Sequence, residues 1–131
     1  DDLALVLIAC WQARGVRFTV EQLRARIGSA TGKAALLALA GAVEDADGEG
    51  QEIVVEIGWE AGRPLSPAFP LLQRDLARGL PLLLITRDGR ALLLQGLVGS
   101  MVTVRDPQGG GTVTLDWREA VLIGRPVIAG A

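Results

Sequence analysis

The chain opens on an apolar segment and then changes rhythm once, near its middle. Residues 3–13 are apolar on nearly every face of a helical wheel, after Asp1 and Asp2 and before Gly15. A helix that is apolar all round packs in an interior. The pattern therefore predicts a buried central helix, opened by Asp at its positive end and stopped at Gly15. Phe18-Thr19-Val20-Glu21-Gln22-Leu23 carries a capping box, in which the Thr19 side chain accepts from the Gln22 N–H and Gln22 reaches back to Thr19. Leu23 and Ile27 share one face of this second helix, Arg24 and Arg26 point elsewhere, and Gly28 ends it. A third helix is expected over 33–46, with Leu36, Leu37, Leu39, Ala40 and Val43 as its apolar side.

From Gln51 the period falls to two. Residues 52–57 alternate like a half-buried strand, with Ile53, Val55 and Ile57 on one face. The prolines between 62 and 70 mark an irregular crossing, and 71–77 can make one or two helical turns. Residues 80–86 form a continuous apolar run that suits a fully buried strand, and Asp88-Gly89 is a hairpin signal leading to a partner strand at 91–97. Gly99-Ser100 is a second turn, followed by strands at 101–105, 112–115 and 125–128, with a turn or short helix at 116–120. Helices followed by a strand meander predict an α+β architecture. The expectation is a single domain over 1–131, with a helical part at 1–48 and a sheet part at 51–131.

Composition narrows the chemistry by subtraction. The 131 residues include no His and one Cys. Ser–His and Cys–His nucleophile schemes are thereby excluded, as are His-based zinc sites, Cys-cluster metal sites and an internal disulfide. No cofactor or metal is expected. Half the residues are hydrophobic, enough for a substantial core, and the net charge is −2. Lys33 is the lone lysine, and the arginines are scattered without a basic stripe. Nucleic acid is thus not an expected partner. No apolar run approaches the ~20 residues of a spanning helix, so no direct membrane insertion is expected. Residues 3–11 could pass for a signal-peptide core, but Asp1 and Asp2 stand where such a peptide carries positive charge. The chain begins without Met and reads as a reducing-compartment domain cut from something longer.

Several residues invite a chemical reading. Gly28, Gly32 and Lys33 resemble a phosphate loop only superficially, because three residues separate the glycines and Ala34 follows the lysine. Cys10 lies mid-helix between Ala9 and Trp11, a position typical of an inert core thiol. Asp2 and Asp106 could form an acid/base pair, or simply open a helix and a turn before Pro107. Arg90 follows the hairpin turn and can be a plain solvated charge. Trp59 and Trp117 lie near element ends, where a half-exposed ring can anchor a partner or pack at the core edge. Trp59, Arg90 and Trp117 are the candidate substrate-binding residues.

The whole length resembles the papain-like peptidase domain at the N-terminus of certain bacterial ABC exporters. This is family thirty-nine of the cysteine peptidases, which clips double-glycine leaders from bacteriocins. The family opens with D-C-G-x-A-C-L, a Gly about a dozen residues on, and a second helix holding a Leu-Arg pair. Here Asp1-Asp2-Leu3-Ala4-Leu5-Val6-Leu7 leads to Gly15, and Leu23-Arg24 follows. The family continues with Leu-Pro before a buried strand, then G-H-F-V-V-L, a glycine turn and V-x-V-x-D-P. This chain has Leu80-Pro81, Gly89-Arg90-Ala91-Leu92-Leu93-Leu94, Gly96, Gly99 and Val102-Thr103-Val104-Arg105-Asp106-Pro107. Gly124-Arg125-Pro126-Val127-Ile128 is similar to the closing strand. The implied fold is papain-like, with three N-terminal helices on an antiparallel sheet.

The departures from the family carry the functional expectation. The nucleophile position holds Asp2 and the general-base position Arg90, and only the orienting acid, Asp106, matches. Asp and Arg cannot replace a thiolate–imidazole pair, so no peptidase activity is expected. Asp2 and Arg90 would pair if they occupy the old site. The pattern is similar to the degenerate peptidase-like domains of type I secretion exporters, which move large unfolded cargo such as repeat-rich (RTX) toxins and adhesins. The resemblance implies a cytoplasmic domain of a bacterial inner-membrane, ATP-binding transporter that holds its unfolded substrate before export. The alternative is an assembly domain packed on the exporter's ATPase or membrane part without contacting cargo.

Overall fold

The computed structural model describes residues 2–13, 19–29, 34, 41–44, 50–107 and 109–128. Its frame is a seven-stranded, wholly antiparallel sheet with helices on both faces, an α+β architecture. In chain order the strands are β1 (Gly41–Glu44), β2 (Gly50–Glu60), β3 (Leu82–Thr86), β4 (Ala91–Val98), β5 (Met101–Arg105), β6 (Thr112–Asp116) and β7 (Ala120–Ile128). Their order in space is β1-β2-β7-β3-β4-β5-β6.

The period-two pattern explains the layers. In β3, Leu83 and Ile85 face one core, while Leu82 and Leu84 face another. Ala91 and Leu93 of β4 join the first core, and Leu92 and Leu94 the second. The first core is covered by α1 (Asp2–Gln12), whose Leu3, Leu7, Cys10 and Trp11 are buried, and by Leu23 and Ile27 of α2 (Val20–Ile27). The second is covered by α3 (Phe69–Ala77) through Leu72. A strand sandwiched between helices has no solvent side, which is why 82–86 is one unbroken apolar run.

The helix ends follow the local chemistry. Thr19 and Gln22 form the capping box, with hydrogen bonds of 2.9 and 3.1 Å, and Gly28 ends α2 at φ 62°. At the end of α3, Leu80 N–H donates to the Asp75 carbonyl and Gly79 N–H to that of Leu76, around Gly79 at φ 74°. This double closure satisfies carbonyls that a helix terminus otherwise leaves bare.

Three expectations need correction. The helix over 33–46 does not extend through its C-terminal part, because Gly41–Glu44 form β1 and pair with Gly50–Ile53 of β2. A glycine and a β-branched Val43 favour that extended pairing over a helical turn; residues 35–40 lie outside the described set. The boundary of a helical part at 48 therefore falls, since β1 precedes it. Of the three expected N-terminal helices, α1 and α2 are described and Ala34 is helical, while the rest of the third lies outside the described residues; α3 follows β2 on the opposite face. Finally, Ile57 is not core but 48% exposed, and a bulge between Ile57 and Trp59 carries the strand on to a buried Trp59.

Strand β7 runs longer than its expected 125–128 because Gly124 lets β2 approach closely. A Cβ at Gly124 would lie 2.6 Å from Val55 Cγ1 and 3.2 Å from the Glu56 carbonyl. Gly124→Ala is accordingly expected to lower stability by about 1–3 kcal/mol, read as a shifted urea midpoint at unchanged slope.

The sheet must also curl. Strand β6 lies four strand intervals from β7, about 19 Å in a flat sheet. Yet the connection from Asp116 to Ala120 reaches at most about 14 Å. It stays short because the sheet bends around the second core: Trp117 N–H donates to Ser100, and Arg87 N–H to Glu119. Among the described residues, no helix is long and apolar enough to cross a membrane.

Candidate functional site

The curl creates a concavity. Its floor is apolar, made by Leu92 of β4 with Val113 and Leu115 of β6, and its volume is about 830 Å³. Val113 and Leu115 pair across from Val104 and Val102, residues of the second core, so the cleft lies on the sheet face opposite α1. The rim is polar. Thr86, Asp88 and Arg90 enter from the β3–β4 hairpin, Asp106 from the end of β5, and Asp116 and Glu119 from the short connection to β7. As the last strand of the sheet, β6 also borders the cleft with its outer edge.

The hairpin is held by its own side chains. Thr86 Oγ1 donates to Asp88 and accepts from the Arg90 N–H at 3.0 Å, while Thr86 N–H donates to the Arg90 carbonyl at 2.9 Å. The Thr86 hydroxyl holds the Asp88 carboxyl below its usual pKa. Glycine at 89, with φ 87°, supplies the left-handed residue that the turn needs. The result is a fixed starting point for Arg90, whose guanidinium forms an ion pair with Asp106 across the cleft mouth. Asp106 also accepts from the Gly109 N–H at 3.4 Å, and its backbone closes the Gly110–Gly111 loop.

Two of the three degenerate-triad positions thus meet. Asp2 is the first residue of α1, but its side chain, and with it the expected Asp2–Arg90 pair, lies outside the described residues. Asp106 is a partner that the structure records for Arg90. An arginine–carboxylate pair supplies neither the thiolate nor the imidazole of a cysteine-peptidase site. Cys10 is buried in the first core, away from the cleft face. Among the described residues, no cluster of three potential metal ligands occurs.

The tryptophans separate. Trp59 is 4% exposed, donates its indole N–H to the Arg63 carbonyl at 2.6 Å, and stands edge-on to Trp117 with ring centroids 5.0 Å apart. It packs at the core edge and presents no surface for a partner, which corrects its candidacy as a substrate anchor. Trp117 is half-buried against the same core.

No protein-family model, curated protein or solved structure matches this chain significantly. The site therefore rests on its own geometry.

Sequence reasoning missed Asp116 and Glu119, because only the curl of the sheet brings them to Arg90. The visible signal was local: Asp116 two residues before Arg118. Asp116 accepts from the Arg118 N–H at 3.0 Å and from its guanidinium at 3.1 and 2.8 Å. The Arg118 side chain, followed by its backbone N–H, lowers the Asp116 pKa from 3.8 to about 2. A folded-state pKa below the unfolded value stabilises the fold above pH 3.8, and that contribution fades as pH falls through about 2. The Asp116 carboxyl carbon is expected to titrate near the lower value in an NMR pH series. Asp116→Asn should remove this part of the acid dependence.

Proposed function

We propose that this is a non-catalytic, papain-like domain of a type I secretion ABC exporter that holds the unfolded cargo before export. The observation carrying the reading is the Arg90–Asp106 ion pair at the mouth of an open cleft, in a chain with no histidine. Where an active relative would place a proton-shuttling imidazole beside its orienting acid, this chain has a permanent cation neutralising that acid.

The cleft suits an extended chain physically. Leu92, Val113 and Leu115 offer an apolar floor, with Val113 53% exposed. Edge strand β6 can pair its outer main-chain groups with an added strand. Rim charges of both signs can meet polar side chains of varied sequence. An unfolded chain can supply a free strand to that edge anywhere along its length, whereas a folded one offers only its few sheet edges, so the site discriminates by conformation more than by sequence.

The test is to mix the domain with an unfolded polypeptide and with its folded form, following binding by calorimetry and integrity by mass spectrometry. Saturable binding of the unfolded form alone, with the polypeptide intact, is the expected result. Val113→Asp, a substitution at an exposed position, should weaken it. Cleavage, or equal binding of the folded form, would overturn the reading. One feature favours the alternative assembly role: Val98 and Met101, paired at the tip of the β4–β5 hairpin, are 79% and 40% exposed. If Val98→Asp disrupts docking on the exporter while cargo binding persists, that tip belongs to an assembly contact.

A further inference from the structure

A second cavity, of about 660 Å³, lies between the C-terminal ends of α1 and α3 at the start of β3. Its apolar lining includes Ala9, Ala13 and Leu80, and its polar groups are Gln12, Gln95 and Arg105. Arg105 sits on β5 directly across from Leu93 and is half-buried. Among the described residues its guanidinium makes no ion pair or hydrogen bond, and its Nε is buried without a partner. Among the described residues, no carboxylate lines the cavity. By contrast, Arg90, Arg118 and Arg125 each pair with an acid.

A half-buried guanidinium without an acceptor is costly, and the surroundings are arranged to admit one. Gln95 is the extra residue of the bulge between Leu94 and Gly96, a distortion that re-aims a side chain out of the alternation. Gln12, on the last turn of α1, brings a second amide to the same space. The negative end of α3 is muted, because the Asp75 and Leu76 carbonyls accept from Leu80 and Gly79. The end of α1 contributes roughly half a negative charge, less than the full positive charge of Arg105. The geometry points to a binding site for a carboxylate carried on a short aliphatic body, with Arg105 gripping the carboxylate by its fork, Gln12 and Gln95 donating to it, and Ala9, Ala13 and Leu80 against the body. This site is separate from the Arg90–Asp106 cleft and does not depend on the function proposed for it.

The carboxylate can belong to a fatty acid or to the free C-terminus of a peptide, and two probes distinguish them. The full chain, 15N-labelled, is titrated with octanoate and with N-acetyl-leucine, alongside octanol and N-acetyl-leucinamide as neutral matches. Saturable shifts of the Gln12 and Gln95 side-chain amides and the Arg105 Nε–H are expected with at least one acid, and not with its neutral match. Arg105→Gln should weaken that binding by about 10-fold or more. Gln95→Glu, at an exposed position, should block it by giving Arg105 an internal acceptor, so the test survives if Arg105→Gln fails to fold. Shifts equal for acid and neutral match, shifts unaffected by Gln95→Glu, or no saturable shift with either acid would overturn the site.

Discussion

Arg125→Met is expected to destabilise the protein by about 3–5 kcal/mol, the range for breaking a buried ion pair by removing one partner. The carboxylate is Asp75, on the sheet side of α3 and only 2% exposed. Arg125 of β7 reaches both of its oxygens at 3.4 Å and binds Glu56 of β2 at 2.7 Å. One arginine therefore ties α3 to two adjacent strands. Burial disfavours its charge, but Asp75 and Glu56 outweigh that and raise its pKa. Against the roughly 5–15 kcal/mol that holds a typical domain folded, the loss is large enough to appear as a shifted chemical-denaturation midpoint. The paired change Asp75→Leu with Arg125→Met should recover most of it, because an apolar pair needs no compensation. Equal losses in the single and double variants would mean that the arginine contributes through packing alone.

Leu93→Ala should cost about 2–5 kcal/mol, the range for deleting a buried leucine from a core that relaxes only partly. Leu93 is fully buried in the core beneath α1, on a strand flanked by β3 and β5. Neighbours on both sides fix its backbone, so the cavity has little freedom to collapse. Leu93→Met keeps the volume and should cost less than about 1.5 kcal/mol. The same contrast at exposed Val113 should be nearly flat, which separates loss of packing from a general effect of substitution in a strand.

Much of the fold was legible because its elements obey local rules. The strand at 101–105, the capping box of Thr19 and Gln22, the stop at Gly28 and the Asp88-Gly89 hairpin all stand where side-chain chemistry predicts them. Long-range pairing overrode local propensity elsewhere. Gly41 and Val43 join a strand because β2 is available to pair with them, and Gly58 extends β2 through a bulge that no alternation of 52–57 announces. The candidate site was less legible. Only the resemblance puts Arg90 and Asp106 in one site, since the residues alone offer Asp106 as a partner of Asp2 or a turn former and Arg90 as a solvated charge. Their meeting depends on the β4–β5 register, and the arrival of Asp116 and Glu119 on the curl of the sheet. Asp75 and Arg125 were invisible as a pair, since 50 residues separate them and nothing in either neighbourhood marks a partner.

The stability and function arguments bear on different parts of the molecule. Asp75, Arg125 and Leu93 hold the frame, whereas Arg90, Asp106 and Val113 line a surface that the frame positions. Conservative changes at the cleft should therefore alter binding while leaving the denaturation midpoint nearly unchanged.

The most direct test of the central claim is an amide-resolved NMR titration of the domain with an unfolded polypeptide drawn from a secreted protein, repeated with that polypeptide folded. Saturable shifts confined to Arg90, Asp106 and the 112–116 edge, seen with the unfolded form alone, are the predicted result. Shifts that map elsewhere, that appear equally with the folded form, or that are absent at saturating concentration would contradict a cargo-holding cleft.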